Sequence, residues 1–258
     1  MKPAEFVEIA AGTFLMGTPE RELSALARAY GGTRESYREE SPQYQLTLER
    51  FWMARTPVTN ALYAAFVAAS GVTAPIHWRG TQPPAPLVDH PVVDVNWADA
   101  VAFCAWFQVQ ATRGQAPLSG VTWHDGLRVC LPSEAQWERA ARGADGRVFP
   151  WGDEWETQRA NTRESGLGAT QPVGSVPGGA SPDGCLDMAG TVWEWTSSLD
   201  WPYPYDPHDG REDPNASGRR ILRGGCYANP HGYARCACRF RLLPTVRNEF
   251  LGFRLAIV

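Results

Sequence analysis

The apolar residues of this chain keep a clear period through its first half and lose it in the second. In "FVEIAAGTFLMG" they gather in two short runs around Ala11-Gly12, the pattern of two strands joined by a turn. "TPERELSALARAYGGTRESYREESPQ" follows as a polar excursion, and "YQLTLERFWMAR" resumes as strand. "TPVTNALYAAFVAASG" changes to helical spacing: Thr59 suits an N-cap, Leu62, Tyr63, Phe66 and Val67 share a face, and Gly71 can close the last turn. "NWADAVAFCAWFQVQATRG" is plainer still. Asn96 caps, Ala100, Phe103, Cys104 and Phe107 recur at i, i+3, i+4 and i+7, and Gly114 ends the helix. In "LPSEAQWERAARG", Ser133 and Gln136 have the spacing at which each side chain satisfies an orphan amide of the first turn, and Gly143 terminates.

Beyond residue 145 the pattern dissolves. "FPWGDEW", "MAGTVWEWTSS" and "DWPYPYDPHDGREDPNASG" mix Trp, Tyr, Pro and Gly. That mixture predicts tightly packed irregular backbone, with an exposed tip at "YDPHDGREDPNASG". "ILRGG" and "LGFRLAIV" return as strand, and in the second Leu251, Phe253, Leu255 and Ile257 alternate onto one face. No internal repeat and no shift in composition divides the chain, so residues 1–258 read as one domain.

Composition narrows what such a domain does. Hydrophobic residues make up 43% and charged residues 20% of the 258, the balance of an ordinary globular protein. A net charge of −4 supplies no polybasic surface, which argues against a nucleic-acid partner. Lys2 is the only lysine, read here as the trace of a GC-rich genome or a thermophile. "MKPAEFVEIAAGTF" holds no apolar core of a signal peptide, and no run reaches the ~18 apolar residues of a membrane span. The expected location is cytoplasmic, with surface display by another route left open. The cysteines at 104, 130, 185, 226, 236 and 238 follow neither a zinc nor a disulfide pattern and are expected as reduced thiols.

Eight phrases in order carry more than composition: "FVEIAAGTFLMGTPE", "TPVTNALYAAFVAASG", "HPVVDVNWADAVAFCAW", "LPSEAQWERAARG", "FPWGDEW", "DMAGTVWEWTSS", "ILRGG" and "LGFRLA". Together they resemble the formylglycine-generating-enzyme (sulfatase-modifying-factor) superfamily over essentially the whole chain. The resemblance implies an α+β, C-type lectin-like fold of the formylglycine-generating-enzyme subtype. Such a fold has much irregular structure, few short helices and strands, and a C-terminal segment that faces ligands. Function has to be argued from the site, because one fold hosts many functions.

The superfamily holds three kinds of protein, and each makes a demand on this sequence. In the oxidase that makes formylglycine, the resemblance implies a pair of cysteines whose thiolates bind copper(I), a soft ion that suits them. The matching positions here are Asn229 and Ala234. Neither supplies a thiolate. The iron-dependent sulfoxide synthases take iron-binding histidines from a preceding helical domain, which has no counterpart here. Histidines 77, 90, 124, 208 and 231 include no pair at helical ligand spacing. The third kind is the variable protein of diversity-generating retroelements, in which reverse transcription rewrites a C-terminal stretch at template adenines, mostly in Asn codons.

The tail fits that third kind. Its skeleton is Arg223-Gly224-Gly225, Arg235-x-Ala237-x-Arg239, Pro244, Arg247 and "LGFR". Between these points, in a variable segment 224–250, lie Tyr227, Ala228, Asn229, His231, Tyr233, Cys238, Phe240, Leu242, Leu243, Val246, Asn248, Glu249 and Phe250. Changing the first two bases of AAC never gives Trp, Met, Lys, Gln or Glu, and from Cys226 to Phe250 only Glu249 breaks that rule. These side chains follow neither a strand nor a helix period. Tyr, Phe and Leu on irregular backbone suit a recognition surface, where a few desolvated anchors dominate affinity. Side chains vary freely only where the backbone does not depend on them. Arg235, Arg239, Arg247 and Arg254 are therefore expected to pin the segment to carbonyls or acidic groups, and Gly224-Gly225 to permit close packing at its entry.

Other candidate chemistry is thin. In some members backbone oxygens and a Glu of the segment matching "MAGTVWEW" bind calcium, which would fall here on Gly190, Val192 and Glu194. Thr191 stands where Asn is usual, and calcium wants six to eight oxygens. Asp153 and Glu154 in "WGDE" read as solvated carboxylates on a packed turn. The sequence thus predicts a non-enzymatic protein that binds a protein or peptide ligand and needs no cofactor, calcium aside. Two alternatives stay open. One is a formylglycine-generating-type oxidase or degenerate relative acting on Cys-containing peptides, with Cys226, Cys236 and Cys238 as a relocated soft-metal set. The other is an undiversified interaction module of a signalling protein.

Overall fold

The computed structural model describes residues 3–258; Met1 and Lys2 lie outside the described residues. Its strands are short and fall into three sheets. β1 (Ala4–Ile9) runs antiparallel to β4 (Phe51–Ala54), with Phe6 opposite Ala54, and parallel to the short β5 (Leu118–Ser119). On the far side of β4 lies β11 (Ala256–Ile257), flanked in turn by β6 (Val129–Cys130), giving the order β5-β1-β4-β11-β6. β2 (Gly12–Met16) and β3 (Tyr44–Leu48) form a separate two-stranded ribbon. The last sheet contains β7 (Trp193–Leu199), β8 (Arg220–Arg223), β9 (Phe240–Leu242) and β10 (Leu251–Gly252), in the order β10-β7-β8-β9.

The helices foreseen in the sequence form with the caps foreseen, because capping is local chemistry. In α2 (Asn60–Ser70) the Thr59 hydroxyl accepts from the Leu62 amide at 3.2 Å, and Gly71 closes the helix at φ 68°. In α3 (Trp97–Thr112) Asn96 and Asp99 cap each other's amides, each at 2.9 Å. Ser133 and Gln136 do the same for α4 (Glu134–Arg142), which ends at Gly143.

The polar excursion after β2 holds a fourth helix, α1 (Leu23–Tyr30), followed by 3-10 turns over Arg34–Glu40. Leu23, Leu26, Ala27 and Tyr30 recur at i, i+3, i+4 and i+7, a helical stripe masked by the polar residues around it. The final strand is not continuous either. β10 joins one sheet and β11 another, and every residue from Leu251 to Ile257 is buried. The crossing point is Arg254, which donates to the carbonyls of Ala54, Arg55 and Leu186.

Two cores result. In the larger, α2 and α3 pack rings against the end of the chain: Tyr63 stacks on Phe103 at 5.6 Å, and Phe253 meets Phe103 edge-on at 5.4 Å. The smaller surrounds Trp137 of α4 with Ile9, Phe51, Met53, Cys185, Met188 and Cys236. Among the described residues no helix is long and apolar enough to cross a membrane.

Candidate functional site

The segment that leaves β8 is fixed before it displays anything. Gly224 (φ 101°) and Gly225 (φ 74°) adopt backbone that side chains disfavour, and a Cβ on Gly225 would lie 2.9 Å from the Tyr233 carbonyl. The chain therefore doubles back tightly, as the paired glycines predicted. Arg223, wholly buried, reaches under the turn and donates to the carbonyls of Cys236, Ala237 and Cys238 at 2.7–2.9 Å. Its remaining charge is met by the Glu138 carboxylate.

The four foreseen arginine pins all form. Arg235 holds Glu40 through two bonds of 2.7 Å, Arg239 holds Glu134 at 2.6 and 3.0 Å, and Arg254 holds Glu194 at 2.6 and 2.7 Å. Arg247, half exposed, grips Asp99 at 2.7 and 2.8 Å and so ties the tail to the cap of α3. Forked guanidinium–carboxylate pairing of this kind fixes direction as well as distance. Burial pushes the Glu134 carboxyl up, but Arg239 and Arg223 outweigh it and hold it below the usual carboxylate range. None of these bonds uses a side chain expected to vary.

The displayed side chains lie between the pins. Tyr233, Phe240 and Leu243 are 46%, 38% and 57% exposed, and Ala228 and Glu249 are exposed beside them. Tyr227, Leu242, Val246, Asn248 and Phe250 are half-buried, with the Tyr227 and Phe250 rings 5.3 Å apart. Ala228, Asn229, Phe240, Leu242, Asn248 and Phe250 meet around one concavity of about 240 Å³. Its wall includes Trp193, whose indole donates to the Asn229 side-chain oxygen at 2.8 Å and whose ring lies 5.1 Å from Phe240. A second cleft of about 500 Å³ opens between the tail and the α1 region, bounded by Tyr30, Tyr37, Tyr233 and Phe240. Sequence reasoning missed Trp193, Tyr30 and Tyr37. The "VWEW" phrase was the one signal for the first; the α1 stripe was the signal for Tyr30.

Three expected surface residues are more constrained than a free display implies. Cys238 is a correction: it is only 6% exposed, packs into the larger core, and burial pushes its thiol up to about 12. Residues 234–239 are all buried because they cross between the two cores instead of alternating as a strand. His231 stacks on Trp155 at 4.9 Å and bonds Glu164 at 3.0 Å. Burial alone would raise the Glu164 carboxyl, yet bonds from His231 and Thr162 pull it down to about 2. Asn229 accepts from Trp193 and from the Cys226 amide, so it braces the turn.

The candidate metal donors do not make a set. Glu194 is fully buried, with its oxygens taken by Arg254 and the Trp137 indole, and the Gly190 carbonyl accepts from the Val192 amide at 2.9 Å. A carboxylate already neutralised by a guanidinium does not fit calcium. At the copper positions Asn229 offers an amide and Ala234 a buried methyl. Cys226 and Cys238 pack in one core and Cys236 in the other, and burial raises the pKa of all three thiols. Among the described residues no group of three or more His, Cys, Asp or Glu is placed to hold a metal ion.

Comparison with known proteins places this geometry. Formylglycine-generating enzyme of Streptomyces coelicolor is 33% identical, over 84% of this chain and 81% of its own length. The structure of PvdO from Pseudomonas aeruginosa superimposes with a TM-score of 0.68 at 27% identity, covering 98% of this chain and 93% of that one. Treponema denticola variable protein 1 shares the fold with a TM-score of 0.72 at 24% identity, over 97% and 94% of the two chains. The irregular α+β architecture is thus the C-type lectin-like one of the formylglycine-generating-enzyme subtype. The family model of the sulfatase-modifying factor enzyme 1-like domain matches residues 1–258, and the chain belongs to that family.

Proposed function

We propose that this chain is a non-enzymatic protein that binds a protein or peptide ligand through a diversified C-terminal surface, residues 224–250. The observation that carries the reading is the division of labour in that segment. Buried arginines hold its backbone through carbonyls and framework carboxylates, while the side chains of Tyr233, Phe240 and Leu243 are partly exposed and take no part in those bonds. A surface whose backbone is held independently of its side chains tolerates their replacement. The likeness to a variable protein supports the reading at the level of fold.

Deep sequencing of the gene's 3′ segment, from a culture expressing a reverse transcriptase of the host's own retroelement, tests it. Substitutions confined to template-adenine positions between Gly225 and Leu251 are expected, alongside a nearby near-repeat of that stretch. An invariant tail with no repeat would overturn diversification. The second reading, a thiol-oxidising enzyme, draws on the Streptomyces coelicolor relative named for that activity. Copper-dependent oxidation of a cysteine peptide by the purified protein would establish it in place of the first. The absent thiols at Asn229 and Ala234 argue for the opposite result.

A further inference from the structure

We propose that the concavity beside Trp193 is a receptor for one uncharged, apolar side chain of a protein partner, with Asn229 and Asn248 binding the partner's flanking peptide carbonyls. This deepens the ligand-binding reading and rests on it.

Size sets the first limit. Free small ligands usually occupy pockets of roughly 300–1,000 Å³. This one holds about 240 Å³, room for a single large side chain presented by something bigger. Charge sets the second. Among the described residues no Asp, Glu, Lys, Arg or His lines the concavity, whose apolar walls include Trp193, Phe240, Leu242, Phe250 and Leu251. A charged group inserted there would lose its water without gaining a partner, a heavy cost, whereas an apolar group gains from the same transfer.

The polar atoms define the rest of the ligand. The Asn229 side-chain oxygen accepts from the Trp193 indole and the Cys226 amide, and that of Asn248 accepts from the Phe250 amide at 2.9 Å. Each carboxamide is thereby oriented with its oxygen used and its NH2 group without a partner among the described residues. Two such donors at one apolar concavity call for acceptors on the ligand. The carbonyls on either side of an inserted residue are the acceptors that every peptide carries. Exposed Tyr233, whose ring lies 6.3 Å from that of Trp193, extends the apolar surface beside this anchor point, as hot-spot clusters do.

The probes are N-acetyl amino-acid amides, which carry one side chain between two carbonyls. The readout is the Trp193 indole N–H resonance of the full chain, assigned with Trp193→Phe, since its bond to Asn229 lies in the pocket wall. N-acetyl-phenylalaninamide and N-acetyl-leucinamide are expected to shift it saturably in the millimolar range. The lysine and glutamate analogues should bind at least about tenfold more weakly, the effect of burying an unpaired charge. Ala228→Phe, made at an exposed rim position, should fill the pocket and abolish the shift while the other indole resonances stay in place. Equal response to charged probes, no response to any, or an unaffected Ala228→Phe variant would each overturn the proposal. Sequencing of the gene is read separately: a flat titration with a varying tail sinks the pocket alone, and a saturable titration with an invariant tail sinks diversification alone.

Discussion

The larger core and the tail are held by different physics. Around α2 and α3, Tyr63, Phe66, Phe103 and Phe253 fill space with rings, so each depends on the volume of its neighbours. In the tail, Arg223, Arg235, Arg239 and Arg254 hold carbonyls and carboxylates, and depend on direction and charge instead. Ring packing constrains every side chain it includes. A backbone grip constrains only the gripping residues and leaves the side chains between them outside the constraint.

The sharpest way to break this comparison is to damage each side of it in turn. Phe103→Ala should cost about 3–5 kcal/mol in denaturant unfolding, the usual loss for a buried ring. Arg223→Leu should cost a similar ~3–5 kcal/mol, because it takes the guanidinium from one oxygen of the buried Glu138 carboxylate, leaving Arg142 and the Gly17 amide on the other, and frees three buried carbonyls. A loss below ~1 kcal/mol for Arg223→Leu would mean that the tail does not hang on it.

Asp187 sharpens the comparison from the other side, as a buried carboxylate without a guanidinium of its own. Burial, offset only in part by the Gly174 amide and by Arg254, lifts its pKa from 3.8 to about 6. A raised acid favours the fold while protonated, so stability is lost as pH rises through about 6. Asp187→Asn should therefore stabilise the protein by up to about 3 kcal/mol above pH 7, the value of two pKa units. The gain should shrink towards zero near pH 4, and thermal unfolding against pH checks it. A gain that persists at low pH would place its cause elsewhere, for instance in the φ of 57° that Asn tolerates well.

The displayed residues should respond least. Phe240→Ala, which removes the ring lying against Trp193, is expected to cost about 1 kcal/mol. Leu243→Ala should stay within ~0.5 kcal/mol, as surface changes do. A loss of several kcal/mol at either position, again by denaturant unfolding, would move it into the core and sink the surface reading.

What could be read in advance follows the range of the interactions. The caps of α2, α3 and α4 act over three or four residues and stand in the sequence as Thr59, Asn96-Asp99 and Ser133-Gln136. The arginine pins were legible as pins, but their partners were not. Glu40 lies 195 residues from Arg235, and Asp99 lies 148 from Arg247, distances that no local pattern spans. The same limit hid the approach of Tyr30 and Tyr37 to the tail, and Trp193 as a wall of the concavity. α1 was missed for a different reason, since its four-residue apolar stripe is short and set between charged segments at 20–22 and 34–40. The Cys238 error came from taking a position between the fixed points Ala237 and Arg239 as displayed, where the backbone in fact runs between two cores.

The split ending of the chain bears on how the protein is made. β11 lies between β4 and β6, and β10 completes the sheet that carries β8 and β9, so neither sheet closes until residues 251–257 have been synthesised. Pairings of such long range form late. A ribosome that stops or changes reading frame anywhere between Cys226 and Phe250 releases a chain lacking both strands and Arg254, with the middle of the five-stranded sheet unfilled and one edge of the four-stranded sheet bare. Folding itself then acts as a check on the reading frame through residues 226–250: only a chain read in frame to its last strand reaches the folded state.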